Sequence, residues 1–330
     1  MENTINKIKI EIDKAKHILL HCHPSPDPDS VGSTLAMKLA LEQIGKKVTL
    51  IKGDSEISKA FVFPGIETIT QKNIFEIDLN DFDLFIILDS GSMDMITKID
   101  KLVFPDSLIT IVIDHHASNI GYGKINLIDT AYSSTAQLVF DLLNEWKIRI
   151  DHDIALNLFM GIYTDTGGYR YGVNPVRTIE VAHILAKLAP DYQKTISIME
   201  NSNRKEGLIF ESLALSSLQT YFDGKLALAS VSNADLIKNK IEEQDMFTGY
   251  ISNKIKSVKE IQVGITLIEK DPNVVKVSFR SKDAVKYDVS KLAVSLGGGG
   301  HKMAAGATLE MPLPEAIEKV VKTTKEIYNV

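Results

Sequence analysis

The sequence predicts two domains of the α/β and α+β classes. A parallel sheet with flanking helices is expected over residues 1–187, a helical linker over 188–204, and a smaller α+β domain with a mixed sheet over 205–330. Short apolar runs alternate with helix-length segments in the first half, which is typical of parallel sheets. The pattern breaks at Pro190, and strands and helices mix after residue 204. A length of 330 residues suits two domains at roughly 150 residues each.

The elements of the first half follow one another as strand, helix and strand. An apolar run ending at Cys22 predicts a buried strand, and the prolines at positions 24, 26 and 28 exclude regular structure in the loop after it. A helix with a serine cap is expected to begin at Ser30 and to end at Gly45. Further strands are predicted over 47–51, 83–88 and 108–113, and further helices over 133–146, 151–163 and 175–188.

The second half predicts a different mixture. A helix over 208–221 leads to a hairpin at Asp223-Gly224, and helices follow over 233–241 and 247–255. Strands over 260–269 and 274–280 are separated by a turn at Asp271-Pro272. A run of four glycines from Gly297 to Gly300, continuing to Gly306, is the most unusual stretch of this half.

Composition and charge exclude several classes of protein. Cys22 is the single cysteine, so an internal disulfide is impossible, and this fits a cytoplasmic protein. The sequence shows neither an apolar run of membrane length nor a secretion signal, so we expect no membrane partner. Residues 206–330 carry 16 basic and 16 acidic side chains, which leaves 21 basic and 27 acidic in residues 1–205. This balance argues against a long nucleic acid as the partner.

Metal-ligand side chains follow the predicted strands of the first half at their carboxyl ends. In parallel sheets these ends share one edge, where ligands bind. Each position alone is more often a polar strand end, but together they predict a metal site. Carboxylates and imidazoles suit Mn²⁺ or Mg²⁺, with Zn²⁺ or Co²⁺ left open. The candidates lie in the segment from His23 to Asp29, at Asp89, in the Asp114-His115-His116 triplet and at Asp165, and six such ligands exceed the needs of one ion and favour two.

The glycine run predicts a phosphate pocket in the second half. Consecutive glycines allow backbone N–H groups to converge on an anion. Arg280, which ends a predicted strand and precedes Ser281, offers a planar bidentate grip on phosphate. The alternatives are a flexible linker and an exposed cation at a strand end.

The motifs resemble those of the DHH phosphoesterase superfamily. The segment from His23 to Asp29, Asp89, the Asp114-His115-His116 triplet and Asp165 are similar to its four motifs, and the stretch from Gly297 to Gly306 resembles the signature of the accompanying DHHA1 domain. The resemblance runs from about Lys16 to Gly306 and is greatest to the stand-alone nanoRNase and pAp phosphatase group.

The resemblance implies a role for each motif residue. One Mn²⁺ would be held by His23, Asp27 and Asp89, and a second by Asp29, Asp89, His115 and Asp165. Asp114 would orient an imidazole, and His116 would face the scissile phosphate. The DHHA1-like domain would bind the nucleotide through Arg280, Ser281, Gly298, Gly299, Gly300 and His301.

The resemblance also implies an activity, the hydrolysis of very short oligonucleotides to nucleoside 5′-monophosphates and of pAp to AMP. Hydrolysis of pApA or cyclic di-AMP is the nearest alternative. A pyrophosphatase or exopolyphosphatase, and a nucleotide-binding regulator without catalysis, are more distant ones. A homodimer is compatible with the resemblance.

Two further groups are left open by the sequence. His21, on the strand before His23, is expected to be structural. Tyr163, Tyr169, Tyr171 and Arg170 surround Asp165, where they either stack on a base or pack in the core.

Overall fold

The computed structural model describes residues 2–246 and 248–329. The chain forms two compact units, Met1–Ser202 and Asn203–Val330. The sequence predicted a parallel-sheet α/β domain followed by a smaller mixed-sheet α+β domain, and this fold class is confirmed.

The first unit is built on a five-stranded parallel sheet of order β2-β1-β3-β4-β5. Its strands are β1 (His17–His21), β2 (Lys47–Ile51), β3 (Leu84–Leu88), β4 (Ile109–Asp114) and β5 (Ile125–Ile128). Its helices are α1 (Glu2–Lys14), α2 (Pro28–Gln43), α3 (Thr135–Glu145), α4 (His152–Asp165), α5 (Pro175–Leu188) and α6 (Tyr192–Glu200).

Both faces of this sheet are buried, which explains its continuous apolar strands. In β3, Ile86 and Leu88 pack into a large core with the helices, whereas Phe85 and Ile87 pack into a smaller core on the opposite face. Since successive side chains of a strand point to opposite faces, a strand covered on both sides needs apolar residues throughout. The polar residues therefore collect beyond the carboxyl ends of the strands.

The start of α2 differs from the prediction. The helix begins at Pro28, and its cap is Asp27, whose carboxylate accepts a hydrogen bond from the Ser30 backbone N–H at 2.9 Å. The prediction of a serine cap at Ser30 was wrong, and so was the exclusion of Pro28 from regular structure. Proline fits the first turn of a helix because its missing N–H is not needed there.

Two elements of the first unit, α1 and β5, had no counterpart in the prediction. Helix α6 lies within residues 188–204, the predicted linker, and its residues Tyr192, Ile196 and Met199 pack against the core of the first unit. The domain boundaries proposed from the sequence stay a prediction.

The second unit is built on a six-stranded mixed sheet of order β10-β11-β9-β8-β7-β6, in which only β7 and β8 are parallel. Its strands are β6 (Gln219–Tyr221), β7 (Leu226–Val231), β8 (Val263–Asp271), β9 (Val274–Ser281), β10 (Gly299–His301) and β11 (Ala304–Glu310). Its helices are α7 (Lys205–Ser216), α8 (Asn233–Lys238), α9 (Thr248–Lys256), α10 (Val289–Ser295) and α11 (Leu313–Tyr328).

The three predicted helices of this unit have different bounds in the structure, and the one expected over 233–241 ends at Lys238. The helix expected over 208–221 ends at Ser216, and Gln219–Tyr221 pairs instead with Leu226–Leu228 as an antiparallel hairpin. The helix expected from Phe247 is seen from Thr248, because Phe247 lies outside the described residues. The glycine run is part of a hairpin, with Gly299–His301 paired to Ala304–Gly306.

Within the described part of the chain, no helix combines the length and apolar character needed to cross a membrane.

Candidate active site

The six predicted metal ligands meet at the carboxyl edge of the first unit's sheet. Their donor atoms fall into three groups, and within each group the atoms lie within 4.8 Å of one another. The groups are His23 with Asp27 and Asp89, Asp89 with His115 and His116, and Asp29 with His115 and Asp165. Asp89 and His115 each belong to two groups, so the three form one continuous cluster.

The fold brings these residues together from distant parts of the sequence. Asp27 and Asp29 lie at the start of α2, which follows β1, and Asp165 is the last residue of α4. Asp89 follows β3 directly, with a backbone φ of 52° that is uncommon for a residue with a side chain. Such a conformation persists only where its surroundings hold it, and it is frequent at functional sites.

The separations between donor atoms fit a shared cation. The Nε2 atom of His23 lies 3.4 Å from Asp27 Oδ2 and 3.9 Å from Asp89 Oδ2. The Nε2 atom of His115 lies 3.8 Å from Asp89 Oδ1 and 3.5 Å from Asp165 Oδ2. In an octahedral shell with bonds of about 2.1 Å, neighbouring donors lie about 3 Å apart and opposite donors about 4.2 Å apart. The observed distances fall between these limits.

The carboxylates repel one another in a buried setting. Burial, with the nearby charges of Asp165 and Asp27, raises the pKa of Asp29 well above its ordinary value. Burial and the charges of Asp29 and Asp27 likewise raise the pKa of Asp89. Burial and the charge of Asp89 raise the pKa of Asp165 to about 7. A divalent cation would relieve this repulsion, so the donor set fits a metal.

The ring of His115 is held in a form suited to metal binding. Its Nδ1 lies 3.4 Å from the Tyr132 carbonyl oxygen, a position from which Nδ1–H donates and Nε2 is left to face the carboxylates. Burial and the neighbouring His116 lower the pKa of His115 to about 4. The ring is therefore neutral near pH 7, as an imidazole ligand must be.

Asp114 is fully buried and holds the ring of His116. Its Oδ1 accepts from His116 Nδ1–H at 2.8 Å and from the His115 backbone N–H at 2.9 Å, and its Oδ2 accepts from Asn119 Nδ2 at 2.7 Å. The hydrogen bond to Asp114 raises the pKa of His116 to about 9. His116 is thus a cation near pH 7, unlike His115.

Sequence reasoning missed the residues that hold the carboxylates. The backbone N–H groups of Thr135 and Ala136, at the start of α3, donate to Asp29 at 2.7 and 3.0 Å. The Thr135 hydroxyl donates to Asp89 Oδ1 at 2.9 Å. The sequence carried one signal, a run of Ser133, Ser134 and Thr135 at a helix start, which marks a helix N-terminus but not what it binds.

Two helix-interior glycines keep α2 and α4 close together. A Cβ on Gly32 would lie 2.4 Å from the Asn157 carbonyl oxygen, and one on Gly161 would lie 2.7 Å from Asp29 Oδ1. Glycine inside a helix costs roughly 1 kcal/mol relative to alanine, so a close approach is a sufficient reason for its presence. This contact brings the first turn of α2 next to the C-terminal half of α4.

His21 lies beneath the site and is fully buried. Its Nε2 is 3.5 Å from the Ser90 hydroxyl, its ring meets Phe85 edge-on, and burial lowers its pKa to about 3. His21 belongs to none of the three donor groups found among the described residues. These contacts are those of a core residue, and the structural role of His21 stays a prediction.

The aromatic residues near Asp165 divide into two kinds. Tyr163 and Tyr169 pack with Phe159, and the Tyr163 hydroxyl donates to Glu200 at 2.8 Å. Tyr171 is 55% exposed, with the Arg170 guanidinium 5.9 Å from its ring centre. Core packing accounts for the first two tyrosines.

The second unit carries an open cavity of about 610 Å³. Its floor is the face of β9 and β11 beside α9, where Ser278 lies opposite Gly306 and Arg280 lies opposite Ala304. The Arg280 guanidinium donates to the Ser278 hydroxyl at 3.2 Å and to the Phe279 carbonyl at 3.0 Å. The cavity therefore combines a partly buried cation with a floor of small residues.

Not all predicted substrate-binding residues line this cavity. Arg280, Gly298, Gly299 and Gly300 do, whereas Ser281 and His301 are not among its lining residues. Ser281 is fully buried, and its hydroxyl is engaged with the Asp283 backbone at 3.1 Å.

The expectation that the glycine amides converge on an anion was wrong at the start of the run. The N–H groups of Gly297 and Gly298 donate to the carbonyls of Val294 and Ala293, at 3.0 and 2.8 Å. These bonds cap the end of α10, as glycines commonly do after a helix.

Family models match both units. Residues 17–162 match the model of the DHH family, N-terminal domain, and residues 228–329 match the DHHA1 domain. Together the two models span most of the chain; the first match covers His23 to His116 and ends before Asp165, and the second covers Gly297 to Gly306.

Curated relatives and solved structures extend the likeness over nearly the full length. A bifunctional oligoribonuclease and PAP phosphatase NrnA from Thermus thermophilus is 28% identical over 94% of this chain and 89% of its own. An exopolyphosphatase-related protein from Bacteroides fragilis has a TM-score of 0.89 and 25% identity, over 99% and 97% of the two chains. RecJ from Thermus thermophilus in complex with Mn²⁺ shares the fold, with a TM-score of 0.56 and 13% identity over 99% and 54% of the chains.

Proposed function

This chain belongs to the DHH/DHHA1 phosphoesterase family, and we propose that it is a Mn²⁺-dependent phosphodiesterase acting on very short oligonucleotides. Its products would be nucleoside 5′-monophosphates, and it would also convert pAp to AMP. The observation that carries the proposal is the cluster of three donor groups at the carboxyl edge of the sheet. The name of the Thermus thermophilus relative, an oligoribonuclease and PAP phosphatase, supports the choice of substrate.

We assign the donor groups to two ions. His23, Asp27 and Asp89 would hold one ion, and Asp29, Asp89, His115 and Asp165 would hold the other. Paired divalent cations supply an ionised water near neutral pH and neutralise charge on the attacking and leaving oxygens. Mn²⁺ is preferred because carboxylate and imidazole donors are mixed, and RecJ, which shares the fold, forms complexes with both Mn²⁺ and Mg²⁺.

His116 is assigned to the scissile phosphate. Asp114 accepts a hydrogen bond from the Nδ1–H of its ring, which fixes the ring's orientation and raises its pKa. A preorganised cation beside a phosphate stabilises the negative charge that develops as the phosphorus is attacked. Asp114 itself is too deeply buried to contact substrate, so it acts by holding His116 and His115 in place.

The cavity of the second unit is assigned to the nucleotide of the substrate. Its volume of about 610 Å³ suits a ligand of mononucleotide size rather than a long polymer. Arg280 would bind a phosphate group, and the small floor residues Ala304 and Gly306 leave room for a flat base. The even balance of charge in residues 206–330 agrees with a short substrate. The roles of Ser281 and His301, the homodimer and the cytoplasmic location stay predictions.

Two other substrates share this chemistry. Hydrolysis of pApA or cyclic di-AMP needs the same metal ligands of the first unit and the same cavity residues of the second unit. Polyphosphate is suggested by the name of the Bacteroides fragilis neighbour, an exopolyphosphatase-related protein, and pyrophosphate is a related substrate. The cavity lining offers only Lys276 and Arg280 as cations among the described residues, which is few for a chain of phosphates.

A panel of substrates tests the proposal. We would compare Mn²⁺-dependent turnover of 5′-phosphorylated dinucleotides, pAp, cyclic di-AMP, pyrophosphate and a long oligonucleotide. We expect the dinucleotides and pAp to lead, with EDTA abolishing both activities. Preference for pyrophosphate or for the long oligonucleotide by a wide margin would overturn the proposed function.

A further inference from the structure

We infer that Thr135 is a positioning residue of the two-ion site, because its hydroxyl fixes the orientation of the Asp89 carboxylate. The inference rests on the proposed function, since it concerns the ligand that the two ions would share. Neither the motif of Asp89 nor that of the Asp114 triplet includes Thr135, which lies 46 residues after Asp89.

Thr135 contacts two of the assigned ligands at once. It is the first residue of α3 and is fully buried. Its backbone N–H donates to Asp29 Oδ2 at 2.7 Å, and its hydroxyl donates to Asp89 Oδ1 at 2.9 Å. The neighbouring Ser134 caps the helix by accepting from the Gln137 N–H. The start of α3 is thereby locked in position with its donors directed at the carboxylates.

The hydroxyl matters because the two oxygens of Asp89 face different partners. Oδ2 lies 3.9 Å from His23 Nε2, whereas Oδ1 lies 3.8 Å from His115 Nε2. The terminal torsion of an aspartate side chain is broad, so the carboxylate can rotate unless a neighbour prevents it. A hydroxyl that faces an ionised carboxylate can only donate to it, so the Thr135 hydrogen bond holds Oδ1 in one position.

The group of Asp29, His115 and Asp165 depends on Thr135 more than the group of His23, Asp27 and Asp89 does. Thr135 contacts Asp29, which belongs to the group with His115 and Asp165, and the Asp89 oxygen that faces His115. The Nε2 atom of His23 instead lies close to Asp27 and to the other oxygen of Asp89, Oδ2. Loss of the hydroxyl should therefore weaken one ion more than the other.

The test compares variants that remove or keep the hydroxyl. Thr135→Val retains the branched shape and the backbone N–H, Thr135→Ala removes the hydroxyl without any steric demand, and Thr135→Ser retains the donor. Hydrogen-bond partners of metal ligands typically contribute 10- to 100-fold to metal affinity. We expect the Kd for one of two Mn²⁺ ions to rise by about 10- to 100-fold in the Val and Ala variants, with a smaller rise in the other Kd and with both Kd values restored in the Ser variant.

Calorimetric titration with Mn²⁺ measures both dissociation constants without substrate. Thr266→Val is the matched control, because Thr266 is a buried threonine of the second unit whose hydroxyl bonds to Ser252 at 2.8 Å. That variant should bind both ions as the wild type does.

The outcomes separate this inference from the proposed function. If Thr135→Val and Thr135→Ala are less stable to heat but bind both ions with wild-type affinity, Thr135 is a packing residue and the inference is overturned. If Thr135→Ser is as impaired as Thr135→Val, the hydroxyl is not the cause and the inference is again overturned. Absence of Mn²⁺ binding in the wild type would overturn the proposed function and this inference together.

Discussion

The contrast between His115 and His116 can be tested by removing each ring in turn. In the structure His116 bonds to Asp114 and is charged, whereas His115 is neutral and directs Nε2 at the carboxylates. We therefore expect His116→Ala to slow the chemical step while both ions remain bound. His115→Ala should instead weaken metal binding.

The size of the His116 effect follows from what the ring contacts. Removal of one preorganised donor to a developing negative charge typically lowers kcat by about 10²- to 10³-fold. Asp114 would still accept from the His115 N–H and from Asn119 Nδ2, so the frame of the site is retained. A buried hydrogen bond between charged groups contributes about 1.5–3 kcal/mol to the free energy of unfolding. The bond between His116 and Asp114 contributes less, because the His116 side chain is 34% exposed.

The assay is single-turnover hydrolysis of a 5′-phosphorylated dinucleotide at saturating Mn²⁺, with metal binding measured separately by calorimetry. His183→Ala is a suitable control, because His183 is exposed on α5 and outside the site. The reasoning is refuted if His116→Ala cleaves at the wild-type rate. It is also refuted if that variant loses Mn²⁺ to the same extent as His115→Ala.

Three further predictions concern the carboxylates and the glycines. Asp89→Ala should abolish turnover at any Mn²⁺ concentration, because it removes a ligand from both of the assigned ions. A wild-type rate in that variant would exclude Asp89 as a ligand that the two ions share. Gly298→Ala should lower the free energy of unfolding, measured in urea, by about 1–3 kcal/mol, because its Cβ would lie 2.1 Å from the Gly306 carbonyl oxygen. A Cβ on Gly299 meets no atom within 4 Å, so Gly299→Ala should keep the wild-type stability and raise the KM for the substrate. In EDTA the melting temperature should fall as pH rises from about 6.5 to 8, because the pKa of Asp165 is raised from 3.8 to about 7 and its stabilising proton is lost in that window. Below about 6.5 the lowered pKa values of His21 and His115 act in the opposite direction. Mn²⁺ should remove the fall, and a melting temperature that rises with pH over this window in EDTA would contradict the account.

The parallel sheet was well predicted because its strands are buried on both faces. Strand β3 is an unbroken apolar run bounded by Asp83 and Asp89, and β2 was predicted with the bounds that the structure has. Parallel strands also place their carboxyl ends at one edge by rule, so the meeting of Asp89 and Asp114 could be expected from the order of the strands and their polar ends.

Two strands that were not predicted, β5 and β6, have weak signals in the sequence. Strand β5 has four residues, of which Leu127 alone is buried. Strand β6 has three residues and is mostly exposed, so the preceding helical pattern continued through it. Its identity as a strand comes from pairing with β7, a tertiary contact that local propensity does not contain.

The residues that hold the ligands were beyond sequence reasoning for a different reason. Asn119 and Thr135 act through single hydrogen bonds to Asp114 and Asp89, and neither has a side chain typical of a metal ligand. Such partners depend on the orientation of individual side chains, which residue type and spacing do not encode. The same is true of Gly298, where a predicted anion-binding amide proved to cap α10.

The most direct test of the two-ion account is turnover of a 5′-phosphorylated dinucleotide followed along a Mn²⁺ titration of the metal-free wild-type protein. The account predicts that two ions bind per chain and that turnover appears only as the second equivalent binds. Full turnover with one ion bound, or with none in EDTA, would contradict it.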